Sequence, residues 1–252
     1  MIIDGHGHVS PTTYGCTDRY VEVLKESGID QGVVSPGGML DVRKMSDYVS
    51  GQKKPDASPR NDYVEDAFRS NPALHGFACV DPRDPQATDK LARHLEGGFR
   101  GLLVSPLVHR FSFTDGCMAD LAALCGERGA PVISHIAWRP GANTSDYIAL
   151  ARKFPRTNFI LEHMGAHPAD TEAADAAATQ DNLFLETSLG SYLHIVETVK
   201  RAGASKVIFG SEYPLSHPAV ELKKIQLLPI SGRERDKILA ANILELLRLA
   251  VD

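Results

Sequence analysis

The sequence contains no apolar run that approaches the roughly 20 residues needed to span a bilayer. Its first residues lack the basic and apolar regions of a signal peptide. It also lacks a basic run, and its formal net charge is −5, which is not the pattern of a nucleic-acid-binding protein. The four cysteines show no CxxC spacing, which favours free thiols in a reducing cytoplasm over a disulfide framework or a thiolate metal site. We therefore expect a cytoplasmic protein that binds neither membranes nor nucleic acids.

Short apolar segments alternate with longer amphipathic segments along the whole chain. We predict eight strands, at 2–4, 31–35, 74–80, 100–105, 131–136, 158–163, 183–187 and 206–210. These segments are apolar throughout rather than alternating, which indicates a parallel sheet buried on both faces. Eight strands close a (β/α)8 barrel, and 252 residues is a typical length for that fold. The sequence therefore predicts a single α/β domain, a (β/α)8 TIM barrel spanning 1–252.

Two details complete this prediction. A doubly wound open sheet is the alternative, but the GHGH sequence after the first predicted strand is not the GxGxxG turn of dinucleotide-binding sheets. The polar segment 41–60 contains Gly51, Pro55 and Pro59, and we predict that it forms an irregular loop over the mouth of the barrel.

The predicted strands carry histidines and a carboxylate at their C-terminal ends, which is where functional groups lie in this fold. His6 and His8 are two residues apart, so on a strand both side chains point to the same side. The fifth strand carries His135, the sixth ends in His163, and the eighth runs into Glu212. Imidazoles combined with a carboxylate suit zinc, and also iron, manganese or cobalt. We predict a divalent metal site, with zinc favoured.

Other side chains follow the same strand ends and are predicted to bind a small-molecule substrate. Trp138 and Arg139 come soon after His135 in the sequence, and Tyr213 follows the strand-eight glutamate. Arg110 follows the fourth strand; its guanidinium suits a bidentate contact with a carboxylate, and a solvated loop position is an equal alternative.

Three more histidines, His167, His194 and His217, lie just beyond strand ends. They either line the barrel mouth or are solvated loop residues, and the sequence favours neither.

Seven segments occur in a characteristic order over nearly the whole chain: IIDGHGH, GFRGLLVSP, GAPVISHIAW, TNFILEHMGA, NLFLETS, GASKVIFGSEYP and ILAANILELLRL. Together they resemble the amidohydrolase superfamily, in particular the amidohydrolase 2 branch that includes aminocarboxymuconate-semialdehyde decarboxylase-like enzymes. The resemblance implies that His6, His8 and His135 bind a metal, with Glu212 as a further ligand or the general base. It implies that His163 positions or protonates water or substrate, so Glu212 and His163 are the predicted catalytic residues. The resemblance is also compatible with a homodimer.

The strand-eight motif departs from the usual pattern of the branch, which is GSDYP. Here the segment 210–214 is GSEYP, and Glu212 reaches one methylene further than aspartate. This leaves open whether Glu212 is a ligand, a base or both. The N-terminus and this glutamate also resemble the 4-oxalomesaconate hydratase group.

Two-metal members of the superfamily carry a bridging lysine or other anionic ligand on strand four. Here the segment 101–105 contains no Lys, Glu or Cys, so we expect one metal ion.

The leading functional hypothesis is a metal-dependent hydrolase that uses a metal-activated water on a C–N or C–O bond, with Glu212 or His163 moving the proton. A hydratase or non-oxidative decarboxylase of a small unsaturated carboxylic acid would use the same ligands, and a cationic clamp at Arg110 or Arg139 would favour it. A third hypothesis is a non-catalytic ligand-binding barrel, which the complete set of ligand-type residues disfavours.

Overall fold

The computed structural model describes residues 1–166 and 170–249. Eight parallel strands form one sheet whose order follows the chain. Their bounds are β1 Ile3–Val9, β2 Gln31–Pro36, β3 Leu74–Cys79, β4 Gly101–Leu103, β5 Val132–Ser134, β6 Phe159–Leu161, β7 Leu183–Glu186 and β8 Val207–Ile208. A bridge between Gly7 and Tyr213 joins β1 to the chain just beyond β8. The sheet is therefore a nearly closed barrel, and the predicted (β/α)8 fold is confirmed.

Helices alternate with these strands and flank the barrel. They are α1 Thr17–Glu26, α2 Met45–Val49, α3 Asn61–Ser70, α4 Ala87–Glu96, α5 Pro106–His109, α6 Gly116–Arg128, α7 Thr144–Lys153, α8 Thr171–Thr179, α9 Tyr192–Ala202, α10 Pro218–Gln226, α11 Gly232–Asp236 and α12 Asn242–Leu247. Three 3-10 turns (Val42–Lys44, Glu162–Met164 and Ala204–Lys206) and a π-helical segment (Lys237–Ala241) complete the elements. Within the part of the chain that the structure describes, no helix is long and apolar enough to cross a bilayer.

An apolar cluster fills the inside of the barrel and includes a side chain from every strand. Its members are Ile3, Val33, Phe77, Leu103, Ile133, Ile160, Phe184 and Ile208, together with Ile243, Leu244 and Leu247 of α12. A second, larger cluster packs the outer face of the sheet against the helices. The barrel interior is thus a packed core rather than a channel, and α12 packs against it as its leucine-rich sequence predicts.

The region over the barrel mouth is more ordered than the predicted loop 41–60. The Asp41 side chain accepts a hydrogen bond from the Arg43 backbone N–H at 3.2 Å and caps a 3-10 turn, which α2 follows directly. α5 was also not predicted; Ser105 caps it and Pro106 occupies its first position. Such short helices carry too few residues to show an apolar periodicity, so the sequence did not reveal them.

Candidate functional site

His6 and His8 lie within β1, which is longer than the predicted strand 2–4. The glycines beside them are required by packing. A Cβ atom on Gly5 would lie 2.7 Å from Ile208 Cγ2, and one on Gly7 would lie 2.8 Å from the Tyr20 hydroxyl. Only glycine therefore allows β1 to approach β8 and α1 this closely. The alternation of glycine with histidine in GHGH is explained by this contact.

Glu212 reaches the same place from the segment that follows β8. Its φ of 54° lies in the left-handed region, which costs energy for a residue with a side chain and is found preferentially at functional sites. The backbone N–H of Glu212 donates to the His6 carbonyl oxygen at 2.8 Å, and that of Ser211 donates to the same oxygen at 3.1 Å. These bonds hold the strand-eight carboxylate against the first strand.

The side chains of His6, His8 and Glu212 converge. Glu212 Oε2 lies 2.6 Å from His6 Nε2, and Glu212 Oε1 lies 3.6 Å from His8 Nε2. Their ligand atoms all lie within 4.8 Å of one another. His6 Nε2 and Glu212 Oε2 are both buried, and although only 2.6 Å separates them they lack the geometry of a hydrogen bond. Buried polar atoms require a partner, and imidazole with carboxylate is a donor set for zinc and related metals, so these residues fit a divalent cation.

Glu162 is a site residue that the sequence reasoning missed. It is 2% exposed, directly follows β6, and joins His163 and Glu212 in a second group of potential ligand atoms. Its Oε2 lies 3.7 Å from His6 Nε2, and its Oε1 is buried without a hydrogen-bond partner in the described part of the chain. The signal was available, because Glu162 ends an apolar strand just as the histidines do.

His163 also has a left-handed backbone, with φ of 58°, and neighbouring polar groups hold it. Its Nδ1 lies 3.1 Å from the Ser188 carbonyl oxygen and 3.0 Å from the Ser188 hydroxyl. Its backbone N–H donates to Glu186 Oε2 at 3.3 Å, and Glu186 is anchored by bonds from the Ser188 N–H and hydroxyl at 2.5 and 2.8 Å. Since a carbonyl oxygen can only accept, Nδ1 carries the proton and Nε2 is left as the acceptor. Glu186 was missed by the sequence reasoning, although it ends β7.

His135 lies immediately after β5 and lines the same cavity, but it is not part of the close group of ligand atoms. Its Nδ1 donates to the Ile136 carbonyl oxygen at 2.9 Å, so its Nε2 accepts from the Ser105 hydroxyl at 2.8 Å. The structure therefore brings three of the four predicted ligands together. That His135 is a metal ligand stays a prediction. To bind a metal, His135 Nε2 would have to lose its hydrogen bond from the Ser105 hydroxyl.

Burial and mutual proximity shift the pKa values of the site in opposite directions. Burial lowers the pKa of His6, but the charges of Glu162 and Glu212 outweigh it and raise that pKa to about 10. Burial raises the pKa of Glu212, but His6 and His8 hold it well below its usual range. Burial lowers the pKa of His8 and of His163 to about 4, and raises that of Glu162 to about 8. At neutral pH the rings of His8 and His163 are neutral, the form that binds metals or accepts protons.

These side chains face a cavity of about 230 Å³. Its polar lining includes His8, His135, His163, Glu162 and Glu212. Its apolar lining is more extensive: Met39, Leu40, Val42, Met45, Leu103, Leu107, Val108, Ile136, Trp138, Leu189, Pro214 and Leu215. The cavity thus combines a small polar group with a large apolar wall, as ligand-binding pockets commonly do.

Of the four predicted substrate-binding residues, only Trp138 lines this cavity, with 75% of its surface exposed. Arg110 is exposed and ends α5. The Arg139 guanidinium donates to the Phe111 carbonyl oxygen. The Tyr213 hydroxyl donates to the Tyr14 carbonyl oxygen at 2.8 Å. The structure therefore places Arg110, Arg139 and Tyr213 away from the cavity lining, where local backbone contacts occupy two of them.

The remaining histidines do not line the cavity in the described ranges. His194 Nε2 accepts from the Asp170 backbone N–H at 3.1 Å, and His217 Nδ1 accepts from the Ala219 N–H at 3.2 Å and caps α10. Both are helix-associated structural residues in this fold. His167 lies outside the described residues.

Comparisons with known proteins agree with this architecture. The sequence model of the family described as amidohydrolase matches residues 3–249. A search of curated proteins finds no match. Similar solved structures include 5-carboxyvanillate decarboxylase from Sphingomonas paucimobilis, with 15% identity, 99% of each chain covered and a TM-score of 0.74.

Two further structures show the range of activities found on this fold. A dihydroxybenzoic acid decarboxylase from Polaromonas sp. JS666, with bound manganese and the inhibitor 2-nitroresorcinol, is 17% identical over 98% of this chain and 96% of its own, with a TM-score of 0.73. A probable 2-pyrone-4,6-dicarboxylic acid hydrolase from Acinetobacter baumannii, with citric acid bound, is 15% identical over 98% and 99% of the two chains, with a TM-score of 0.70.

Proposed function

Because the chain belongs to the amidohydrolase family, we propose that it is a metal-dependent hydrolase that cleaves a C–N or C–O bond of a small molecule. The observation that carries this proposal is the convergence of ligand atoms from His6, His8 and Glu212. His8 and Glu212 also line the cavity in which a substrate would lie. The manganese in one similar structure supports metal dependence. Zinc is the proposed metal, ahead of manganese, iron or cobalt, because imidazole combined with carboxylate is a donor set that suits zinc.

A bound divalent cation lowers the pKa of a coordinated water to about 7 and polarises a substrate carbonyl. The chain's own residues then have separate tasks. His6, His8 and Glu212 would hold the cation, and Glu162, whose Oε2 lies 3.7 Å from His6 Nε2, would offer a further oxygen donor. His163 presents an unprotonated Nε2 that lies 4.0 Å from Glu212 Oε2. We assign His163 the role of accepting a proton from the nucleophile and returning it to the leaving group.

A non-oxidative decarboxylase or hydratase of an unsaturated carboxylic acid is the second candidate. It is favoured by the decarboxylase names of two similar structures, although at 15% and 17% identity these likenesses carry the fold alone. Against it stands the cavity lining, in which the described side chains include Glu162 and Glu212 but neither arginine nor lysine. A carboxylic acid substrate is usually bound by such cations.

Metal analysis with a substrate screen tests the proposal. We expect about one equivalent of transition metal per chain, with hydrolysis of one or more neutral esters, lactones or amides. His6→Ala should lose both metal and activity, while His75→Ala should retain both. His75 is the matched control because it bonds to Gln31 in β2 and lies outside the site. A chain that binds no metal after reconstitution contradicts the site. Release of CO₂ from aromatic or unsaturated acids, without any hydrolysis, contradicts the hydrolase in favour of the decarboxylase.

A further inference from the structure

One wall of the cavity is apolar and is held in place before any ligand binds. Met39, Leu40, Val42 and Met45 supply it from the segment between β2 and α3. Three backbone groups anchor this segment: the Asp41 N–H donates to the Tyr48 hydroxyl at 3.1 Å, the Asp56 N–H donates to the Met39 carbonyl oxygen at 2.9 Å, and the Ala57 carbonyl oxygen lies 3.2 Å from His109 Nε2. An apolar ligand body therefore meets a preformed surface.

The acidic side chains that line the cavity, in the part of the chain that is described, are Glu162 and Glu212. Within the described ranges this lining contains neither arginine nor lysine, and its basic side chains are the imidazoles of His8, His135 and His163. A divalent cation would be balanced by the two carboxylates. No arginine or lysine side chain of the lining would then offset an anionic group on a substrate, and desolvating an unpaired anion is costly.

Arg43 is a cation close to the cavity, since its guanidinium lies 4.7 Å from the ring centre of Tyr14, a lining residue. It is already paired with Asp41 through hydrogen bonds of 2.9 and 3.1 Å. Asp41 therefore offsets the charge of Arg43.

From this lining we infer that the substrate is an uncharged, predominantly apolar ester, lactone or amide. Its apolar body would lie against Met39, Leu40, Met45 and Leu107, and its carbonyl would face His8 and Glu212. The cavity of about 230 Å³ is smaller than the roughly 300–1,000 Å³ typical for drug-sized ligands, so the substrate is small. This inference rests on the proposed function and narrows it to one substrate class.

A matched pair of ligands tests the inference. 4-Methylbenzamide and 4-carbamoylbenzoate share one amide and one ring and differ in a methyl against a carboxylate. Trp138 is the single tryptophan of the chain and lines the cavity, so its fluorescence reports binding in both metal-depleted and metal-loaded protein. We expect the neutral amide to bind at least about tenfold more tightly in both forms. Equal or tighter binding of the carboxylate by the metal-depleted protein would overturn the inference.

A pair of identical substitutions provides the control. Leu40→Lys places a cation in the apolar wall, where residue 40 is half-buried. It should reduce the preference for 4-methylbenzamide over 4-carbamoylbenzoate by about tenfold, or reverse that preference. Leu193→Lys introduces the same charge on α9, where the side chain is 72% exposed and outside the cavity, and should leave the preference unchanged. If Leu40→Lys does not fold, the ligand pair with the unaltered protein still decides the matter.

Hydrolysis of the corresponding methyl esters, methyl 4-methylbenzoate and monomethyl terephthalate, separates this inference from the proposed reaction. Preference for the neutral amide without hydrolysis of any ester, lactone or amide would contradict the reaction and leave the ligand class standing. Faster hydrolysis of monomethyl terephthalate would contradict the substrate class and leave the reaction standing. Faster hydrolysis of the neutral ester supports both.

Discussion

Asp4 is a fully buried carboxylate that accepts hydrogen bonds from four groups around β1. Its Oδ2 accepts from the Ser211 hydroxyl at 2.5 Å and from the Tyr20 hydroxyl at 2.8 Å. Its Oδ1 accepts from the Ser211 N–H at 2.9 Å and from the His6 N–H at 3.2 Å. These bonds tie β1 to α1 and to the segment that carries Glu212. We therefore predict that Asp4→Ala destabilises the fold and moves the metal-binding side chains apart.

The size of the effect follows from the groups left behind. Asp4→Ala leaves the Tyr20 and Ser211 hydroxyls and the His6 N–H without the Asp4 acceptor, whereas the Ser211 N–H keeps the His6 carbonyl oxygen. At about 1–2 kcal/mol for each such donor, the expected loss in the free energy of unfolding is roughly 3–6 kcal/mol. Whole domains are stable by only about 5–15 kcal/mol, and for a chain of this size each kcal/mol lowers the melting temperature by about 2–4 °C. We expect a fall of about 6–24 °C.

Asp4→Asn removes the negative charge at residue 4 but keeps a side chain that forms hydrogen bonds, so it separates the two contributions to stability. The amide oxygen still accepts from both backbone N–H groups, and the amide N–H₂ can donate to the two hydroxyls, which rotate to accept. The expected loss is below about 2 kcal/mol.

Urea unfolding followed by circular dichroism measures both variants, with metal content measured on the same samples. Asp30→Ala is the matched control, because Asp30 also accepts a hydrogen bond near the first strand, from the N–H of Ile2 just before it, but its side chain is 57% exposed. Its loss should stay below about 1 kcal/mol. An Asp4→Ala protein within about 1 kcal/mol of the unaltered chain would refute the reasoning from buried donors.

Three other predictions concern single residues. Glu162→Gln should weaken metal binding about tenfold in calorimetric titration while the fold is retained; unchanged affinity would remove Glu162 from the donors. His109 is fully buried and burial lowers its pKa from 6.5, so the unfolded chain takes up the proton first and stability is lost as the pH falls below 6.5. In His109→Gln the free energy of unfolding should therefore fall less steeply as the pH is lowered. Urea unfolding at several pH values measures this, and the same pH dependence in the variant and the unaltered protein would contradict this role of His109. Gly7→Ala should lower the free energy of unfolding by about 1–3 kcal/mol, because its Cβ would meet the Tyr20 hydroxyl. Gly116→Ala, where no atom lies within 4 Å of the added Cβ, is the control. Equal melting temperatures for the two variants would show that the contact with Tyr20 relaxes freely.

The barrel was predictable because its signals are local. Apolar runs buried on both faces and glycines or prolines that end helices can be recognised within a few residues. The Ala-rich segment 171–179, for example, forms α8. Strand lengths were less predictable. The strand predicted at 206–210 is only two residues long in the structure, as β8 Val207–Ile208. Hydrogen bonding between neighbouring strands sets those ends, and no short sequence window contains both partners.

The candidate site divides in the same way. His6 and His8 were predicted from their spacing in one strand, and Glu212 from its position after another. The sequence could not show that His135 would engage Ser105, or that the Arg139 guanidinium would bond to Phe111. Such outcomes depend on rotamers and on partners that are distant in the sequence.

By itself, the sequence determined the order of strands and helices and which residue types arrive at the C-terminal ends of the strands. The pairing of β1 with the chain beyond β8 decided that Glu212 meets His6 at 2.6 Å. The same closure brings the unpredicted Glu162 within 3.7 Å of His6 and leaves the cavity lined by carboxylates and apolar side chains. Only the tertiary structure could decide this, because distances between side chains on different strands depend on how the barrel closes.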